Sequence, residues 1–297
     1  CHDFKIQLYN ESSSSFLVLC VVTKFMNSSQ SKVKFAILLA THNGVSWIEK
    51  QLLSILKQVK ISVTVFVSDD MSEDGTFEKI SSIAQLYENI IIVPRRKHGT
   101  PARNFHYLLT SSDFSGYDYV AFSDQDDIWH KDKLFEAHLH MATVGADAFS
   151  SDVIAQYSNG RKKYIKKSYP FRKYDYLFES AGPGCTYVIR ARYISDYAKF
   201  IELNYEIINE IDCHDWTIYA YMRSLGYNWF IGSKPSVLYR QHLSNAEGVN
   251  IGITAYLNRF KDIMSGKYRK RCLSMLVLLD SENREFIKLL DGKWISG

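Results

Sequence analysis

The chain has 297 residues, 46% of them hydrophobic and 23% charged, and a net charge of +4. That is the balance of a soluble globular protein with ample apolar material for a core, and the charge is too weak to argue for a nucleic-acid partner. Five cysteines (Cys1, Cys20, Cys185, Cys213 and Cys272) are odd in number and lack metal-finger spacing, so reduced thiols in a cytosolic protein are expected, not a disulfide scaffold.

Residues 1–32 read as a separate, flexible leader, because Ser12–Ser15 and Asn27–Ser31 are small and polar. Phe16–Val22 (FLVLCVV) is apolar but far short of the ~20 residues that span a bilayer. Asp3 and Glu11 spoil the basic start of a signal peptide, and a chain that opens on Cys1 can have its native start upstream. Order is expected from Val33. Val33–Ala40 (VKFAILLA) is a continuous apolar strand of the kind buried on both faces. Trp47–Gln58 carries Ile48, Leu52, Ile55 and Leu56 at helical spacing, with Ser46 as a cap and Glu49 behind it.

The unit then repeats. Val63–Val67 is a second strand, and Asp74 caps a helix from Gly75 to about Tyr87. Ile90–Val93 is a third strand, followed by a short helix, Pro101–Leu109, that begins with proline as first turns often do. Tyr117–Phe122 is the fourth strand. Alternating strands and helices with short loops predict an α/β fold with a parallel sheet covered on both faces. Further on, Ala146–Ala155 and Cys185–Arg190 read as strands, His214–Ser224 as a helix, and Trp229–Ile231 and Ser236–Tyr239 as short strands. From Ile251 the chain reads helical and basic, with a second apolar helix near Leu273–Leu279.

Ligands of such sheets bind beyond the carboxyl ends of the strands. Polar clusters fall there: Thr41-His42-Asn43, Asp69-Asp70, and Ser123–Asp127. The last is the most informative, since Asp124, Asp126 and Asp127 place three carboxylates within four positions. Asp124 and Asp126 are two apart, so in an extended segment they share a face and can hold one hard cation through oxygen. A solvated Asp-rich turn is the alternative. No glycine-rich phosphate loop is present, so a bound diphosphate would be bridged through the metal, and Asp70 can accept from a base or ribose donor. Asp215, in His214-Asp215-Trp216, is the best candidate general base; it equally suits the first turn of a helix. His242, after Tyr239-Arg240-Gln241, can complete a metal shell or be a structural histidine. Two basic clusters, Arg161-Lys162-Lys163 with Lys166-Lys167, and Lys267, Arg269, Lys270 and Arg271, are interleaved with Tyr164, Tyr169, Phe171 and Tyr268. They suit either an anionic membrane surface or a solvated face.

These motifs together resemble family 2 glycosyltransferases. Phe35–Asn43 (FAILLATHN) with Gln51–Leu56 looks like that family's opening. Ser68–Thr76 (SDDMSEDGT) resembles its Asp-Asp-Gly-Ser-x-Asp-Gly-Thr segment, with Met71 in place of glycine, and Gly99–Asn104 its Gly-x-x-x-Arg-Asn element. Ser123–Trp129 resembles the metal-binding D-x-D in the extended form of bacterial rhamnosyltransferase-like members. His214-Asp215-Trp216 and Tyr239–His242 are similar to that group's later motifs.

The resemblance implies a GT-A fold over residues 33–245, with 246–297 a helical basic extension. It implies a nucleotide-sugar donor, a divalent cation (Mg or Mn), and inversion at the anomeric carbon. Ala40, His42, Asn43 and Asp70 would meet the nucleobase and ribose, and Arg103 and Asn104 the nucleotide. Asp126 would be the main metal ligand, with Asp124 and His242 assisting and Asp124 also facing the donor. Asp215 would be the base. The extended acidic motif implies L-rhamnose from dTDP-rhamnose, moved to a polysaccharide or lipid-linked saccharide acceptor by a cytoplasmic enzyme at the inner face of the plasma membrane. The residues leave two other readings open: a nucleotidyltransferase, and a catalytically silent sugar-binding protein.

Overall fold

The computed structural model describes residues 32–241 and 264–279. The leader, His242 and the chain around it, and residues 280–297 therefore lie outside the described residues.

β1 (Lys34–Thr41) shows why the sheet is central. Phe35, Ile37 and Leu39 enter one apolar cluster, while Ala36, Leu38 and Ala40 enter another. A period of two with both faces buried is a strand between two layers. Each large side chain so buried contributes roughly 1.5–3 kcal/mol. The other strands of this seven-stranded sheet are β2 (Ser62–Asp69), β3 (Ile90–Ile92), β4 (Tyr119–Ser123), β6 (Ala148–Ser151), β9 (Val188–Arg190) and β10 (Trp229–Gly232), in the order β10-β6-β9-β4-β1-β2-β3. All its pairs are parallel except those of β9, which runs antiparallel to β4 and β6. A second sheet has the order β5-β11-β7-β8, from β5 (Ile128–Trp129), β7 (Val153–Tyr157), β8 (Lys162–Ile165) and β11 (Val237–Gln241).

Helices α1 (Ile48–Leu56), α2 (Thr76–Ala84) and α4 (Lys133–Val144) cover one face of the large sheet. On the other lie α3 (Pro101–Ser111), α5 (Ile194–Leu203), α6 (Tyr205–Ile211), α7 (His214–Ser224) and α8 (Lys267–Leu279). The expected layers are present; several details differ. Ser46 does not cap α1; Gly44 O closes its start by accepting from Trp47 N and Ile48 N at 2.9 and 3.0 Å. Gly75, at φ 91°, holds the cap position of α2, while Asp74 accepts from Thr76 N at 3.0 Å. Ala146–Ala155 is two strands in two sheets, because Asp152 turns the chain between them. Cys185–Arg190 begins as a short 3-10 turn, Gly184–Thr186, before β9.

Candidate active site

The carboxyl ends of β1, β2 and β4 meet in register, with Ala40 opposite Ser68 and Leu39 opposite Ser123. The three polar clusters therefore share one sheet edge. Asn104, near the start of α3, ties two of these ends together by donating to Ser68 O at 3.2 Å and Thr41 O at 3.4 Å. Its Oδ1 is buried and has no hydrogen-bond partner among the described residues. Thr100 caps α3 and Pro101 follows it, which leaves Arg103 exposed at the helix entrance.

After β1 the chain turns sharply, with Asn43 at φ 48°. Asn43 N donates to Ser72 Oγ, its Oδ1 accepts from Glu73 N, and His42 Nδ1 lies 2.8 Å from Asp70 O. His42 and Asn43 are exposed, whereas Ala40 belongs to the apolar layer. Asp70 is buried and accepts from the backbone N–H groups of His98 and Gly99, so it also orders the loop ahead of α3. Its neighbour Asp69 is fully buried and held by Arg95 at 2.7 Å and by Ser72.

The acidic segment is a turn, not an extended strand. β4 ends at Ser123, whose Oγ accepts from Gln51 Nε2 at 2.6 Å. Consequently Asp124 and Asp126 do not share a strand face. Asp124 is half-buried, and one ligand atom each from Asp124, Asp127 and Cys185 fall within 4.8 Å of one another. Asp126 is buried at the rim, with its carbonyl accepting from Arg240 Nε. Arg240 N also donates to Asp127 Oδ1 at 3.3 Å. Burial, with Asp126 and Asp124 as like-charged neighbours, pushes the Asp127 carboxyl well above the usual carboxylate range. Beneath it, Lys133 is fully buried over the Trp129 ring at 3.8 Å, and burial pulls its ammonium down to about 7. Burial likewise pushes the Cys185 thiol up.

Three hard oxygen donors within four positions suit Mg2+ or Mn2+. Asp127 Oδ2 is buried beside Asp124 without a hydrogen-bond partner among the described residues. Asp124 and Asp127, the two carboxylates the structure brings within ligand range of each other, fit a divalent cation, while Asp126 lies outside that group.

Asp215 stands in the first turn of α7, next to Gly184, the residue before Cys185. Asp215 Oδ1 accepts from Trp216 N at 2.7 Å and from the Cys213 thiol at 2.9 Å, and Oδ2 has no hydrogen-bond partner among the described residues. The preceding His214 ring stacks on Phe105 of α3 at 4.1 Å, and Thr100 Oγ1 donates to Asp212 at 2.7 Å. α3 thus braces the segment that bears Asp215. The structure brings His42, Asn43, Asp70, Asn104, Asp124 and Asp126 to one sheet edge, and Asp215 lies at the start of α7. Lys133, Cys185 and Gln125 were not anticipated. Gln125 lies inside the acidic motif; Lys133 reads in sequence as one more charged helix residue.

Residues 36–200 match the domain described as Glycosyl transferase family 2. The chain belongs to that family. It is an inverting glycosyltransferase of GT-A fold that uses a nucleotide-sugar donor, and the open choice among transferase, nucleotidyltransferase and silent binding protein falls to the first. Over 234 residues, 78% of this chain and 81% of the relative, it is 42% identical to the dTDP-rhamnosyl transferase RfbG of Shigella flexneri. Among solved structures it resembles S. aureus TarS 1–349 in complex with UDP-GlcNAc, with TM-score 0.59 and 16% identity over 87% of this chain and 70% of that one. It also resembles the mannosyltransferase PcManGT from Pyrobaculum calidifontis in complex with GDP-Man and Mn2+, with TM-score 0.53 and 14% identity over 94% and 77%. At such identities these two structures bear on the fold alone. GT-A enzymes generally use a divalent metal.

Proposed function

We propose that this glycosyltransferase moves L-rhamnose from dTDP-rhamnose to a polysaccharide or lipid-linked saccharide acceptor. The observation that carries this is the 42% identity to a dTDP-rhamnosyl transferase across 78% of the chain, together with the acidic turn after β4. Catalysis would reside in residues 33–245, with 246–297 as an appended segment. His42, Asn43 and Asp70 surround the nucleoside, with the β1 backbone at Ala40 beneath it, and Arg103 and Asn104 approach the phosphates.

Asp215 takes the acceptor hydroxyl proton on Oδ2 as that oxygen attacks the anomeric carbon and the bond to the diphosphate breaks, with inversion. The Cys213 and Trp216 donors on Oδ1 hold the carboxylate in one orientation. Mg2+ or Mn2+ held by Asp124 and Asp126, with His242 assisting, would supply positive charge for the departing diphosphate.

The reaction would take place on the cytoplasmic side of the plasma membrane. Cys185 and Cys272, both buried and in no disulfide among the described residues, support a reducing compartment. No helix among them is long and apolar enough to cross a membrane. Peripheral contact would use the β7–β8 hairpin and its continuation. Residues 161–174 hold seven cations and no carboxylate, and Tyr164, Tyr169 and Phe171 are exposed.

Turnover of dTDP-, UDP- and GDP-sugars by the purified protein, with and without Mn2+, tests the donor. Faster turnover of dTDP-rhamnose than of the others is expected; a preference for a UDP- or GDP-sugar would refute the rhamnose assignment.

A further inference from the structure

The ladder between β1 and β4 ends at Leu39 and Ser123. Beyond it the loop after β1 and the acidic turn would separate, yet one side chain joins them. Gln125 Oε1 accepts from Thr41 Oγ1 at 2.6 Å and from His42 N at 2.9 Å, while its Nε2 donates to His42 O at 2.9 Å. The amide thus exchanges two hydrogen bonds with the peptide groups of one residue, as a paired strand residue does. Only glutamine fits. Asparagine is a methylene shorter, and glutamate has no N–H for His42 O. The chain also keeps space for it. A Cβ on Gly44 would lie 2.2 Å from Gln125 Oε1 and 2.5 Å from its Cδ, and the three nearest atoms are all of Gln125.

We propose that Gln125 is a positioning residue that fixes the loop carrying His42 and Asn43 against the turn carrying Asp124 and Asp126, so that nucleoside and metal are bound as one unit. The consequence for binding rests on the reading of that loop and turn as the two halves of the donor site.

The proposal is tested by calorimetry of dTDP with and without Mn2+, and by amide hydrogen exchange of residues 41–44. Gln125→Ala should weaken dTDP binding in the presence of Mn2+ by about tenfold, the scale of one or two net hydrogen bonds, and should shrink the gain in affinity that Mn2+ gives. Gln125→Met, which keeps the volume without the bonds, should behave alike, and exchange at 41–44 should quicken in both. Gly44→Ala should reproduce the defect in the wild-type background and add little to Gln125→Ala. Wild-type affinity in Gln125→Ala, rescue by methionine, or an equal effect of Gly44→Ala in both backgrounds would overturn the proposal. If the wild-type protein binds no nucleotide, the donor-site reading falls and the exchange rates decide alone: faster exchange in Gln125→Ala upholds the tie, and unchanged exchange refutes it.

Discussion

Gly184 leaves the space that His214 needs: a Cβ on Gly184 would sit 2.8 Å from His214 Nε2, and 3.1 Å from the Asp215 Cβ. Both neighbours are at the half-buried start of α7, and His214 cannot swing away cheaply because it is stacked on Phe105. Gly184→Ala should therefore shift the proposed base and lower kcat by about tenfold or more, on the sensitivity of positioned groups to displacements near 1 Å. Steady-state kinetics beside a nucleotide-binding titration checks this: kcat falls, while dTDP affinity stays within a factor of two or three. A variant with unchanged kcat would mean that Asp215 does not need its present place.

Asp215→Asn keeps the shape and removes the basicity. General-base help is typically worth ~100- to 10,000-fold, so turnover should fall on that scale with donor binding retained. Wild-type turnover in single-turnover assays would rule Asp215 out as the base.

Removal of the metal is a separate matter. Chelation with EDTA should weaken binding of the nucleotide diphosphate, and Mn2+ should restore it in the wild type but not in Asp126→Ala. Calorimetry showing the same Mn2+-dependent gain in the variant would sink the ligand assignment.

His106 gives a pH test that does not touch the acidic turn. It is buried in α3 with both ring nitrogens lacking hydrogen-bond partners among the described residues. Burial, then the neighbouring His214 and Arg103, pulls its pKa from 6.5 to about 3. Between these values the unfolded chain holds a proton that the folded chain does not, so stability falls as pH falls. The slope approaches ~1.4 kcal/mol per pH unit for a full proton difference. Burial pulls His214 in the same direction, so the His106 share is the difference between wild type and His106→Leu. Urea titrations at pH 7 and pH 5 should show a smaller loss for the variant; equal losses would contradict the assignment.

The basic hairpin can be examined without activity. Charge reversal at Lys162, Lys163 and Lys166, all outside the donor site, should abolish flotation with anionic phosphatidylglycerol vesicles at low salt. Neutral phosphatidylcholine vesicles should not bind either protein. If the wild type fails to float with anionic vesicles, the membrane contact is refuted.

Much of the sheet and its polar edge was legible because local rules agree there. The strand Phe35–Ala40 is apolar on both faces, and polar residues cluster just where strands end. What escaped was set by partners distant in sequence. Gln125 bonds to Thr41 and His42, more than eighty positions away, and nothing around it announces the tie. The run Ala146–Ala155 reads as one strand because apolar residues flank the polar break Ser150–Asp152 on both sides. β9 follows the 3-10 turn at Gly184–Thr186, and its antiparallel pairing with β4 and β6 is made to strands some seventy and forty positions away. The expectation that Asp124 and Asp126 share a face assumed that the strand continued, whereas it stops at Ser123.

The break at Asp152 has a mechanical consequence. Asp152 is fully buried and accepts from Tyr164 Oη, Lys167 N, Ser168 N and Ser168 Oγ, while β6 and β7 on either side of it belong to different sheets. Joined by one pinned residue, the two sheets have no hinge between them at this seam. Swinging one sheet against the other at this seam would break the four hydrogen bonds that hold Asp152.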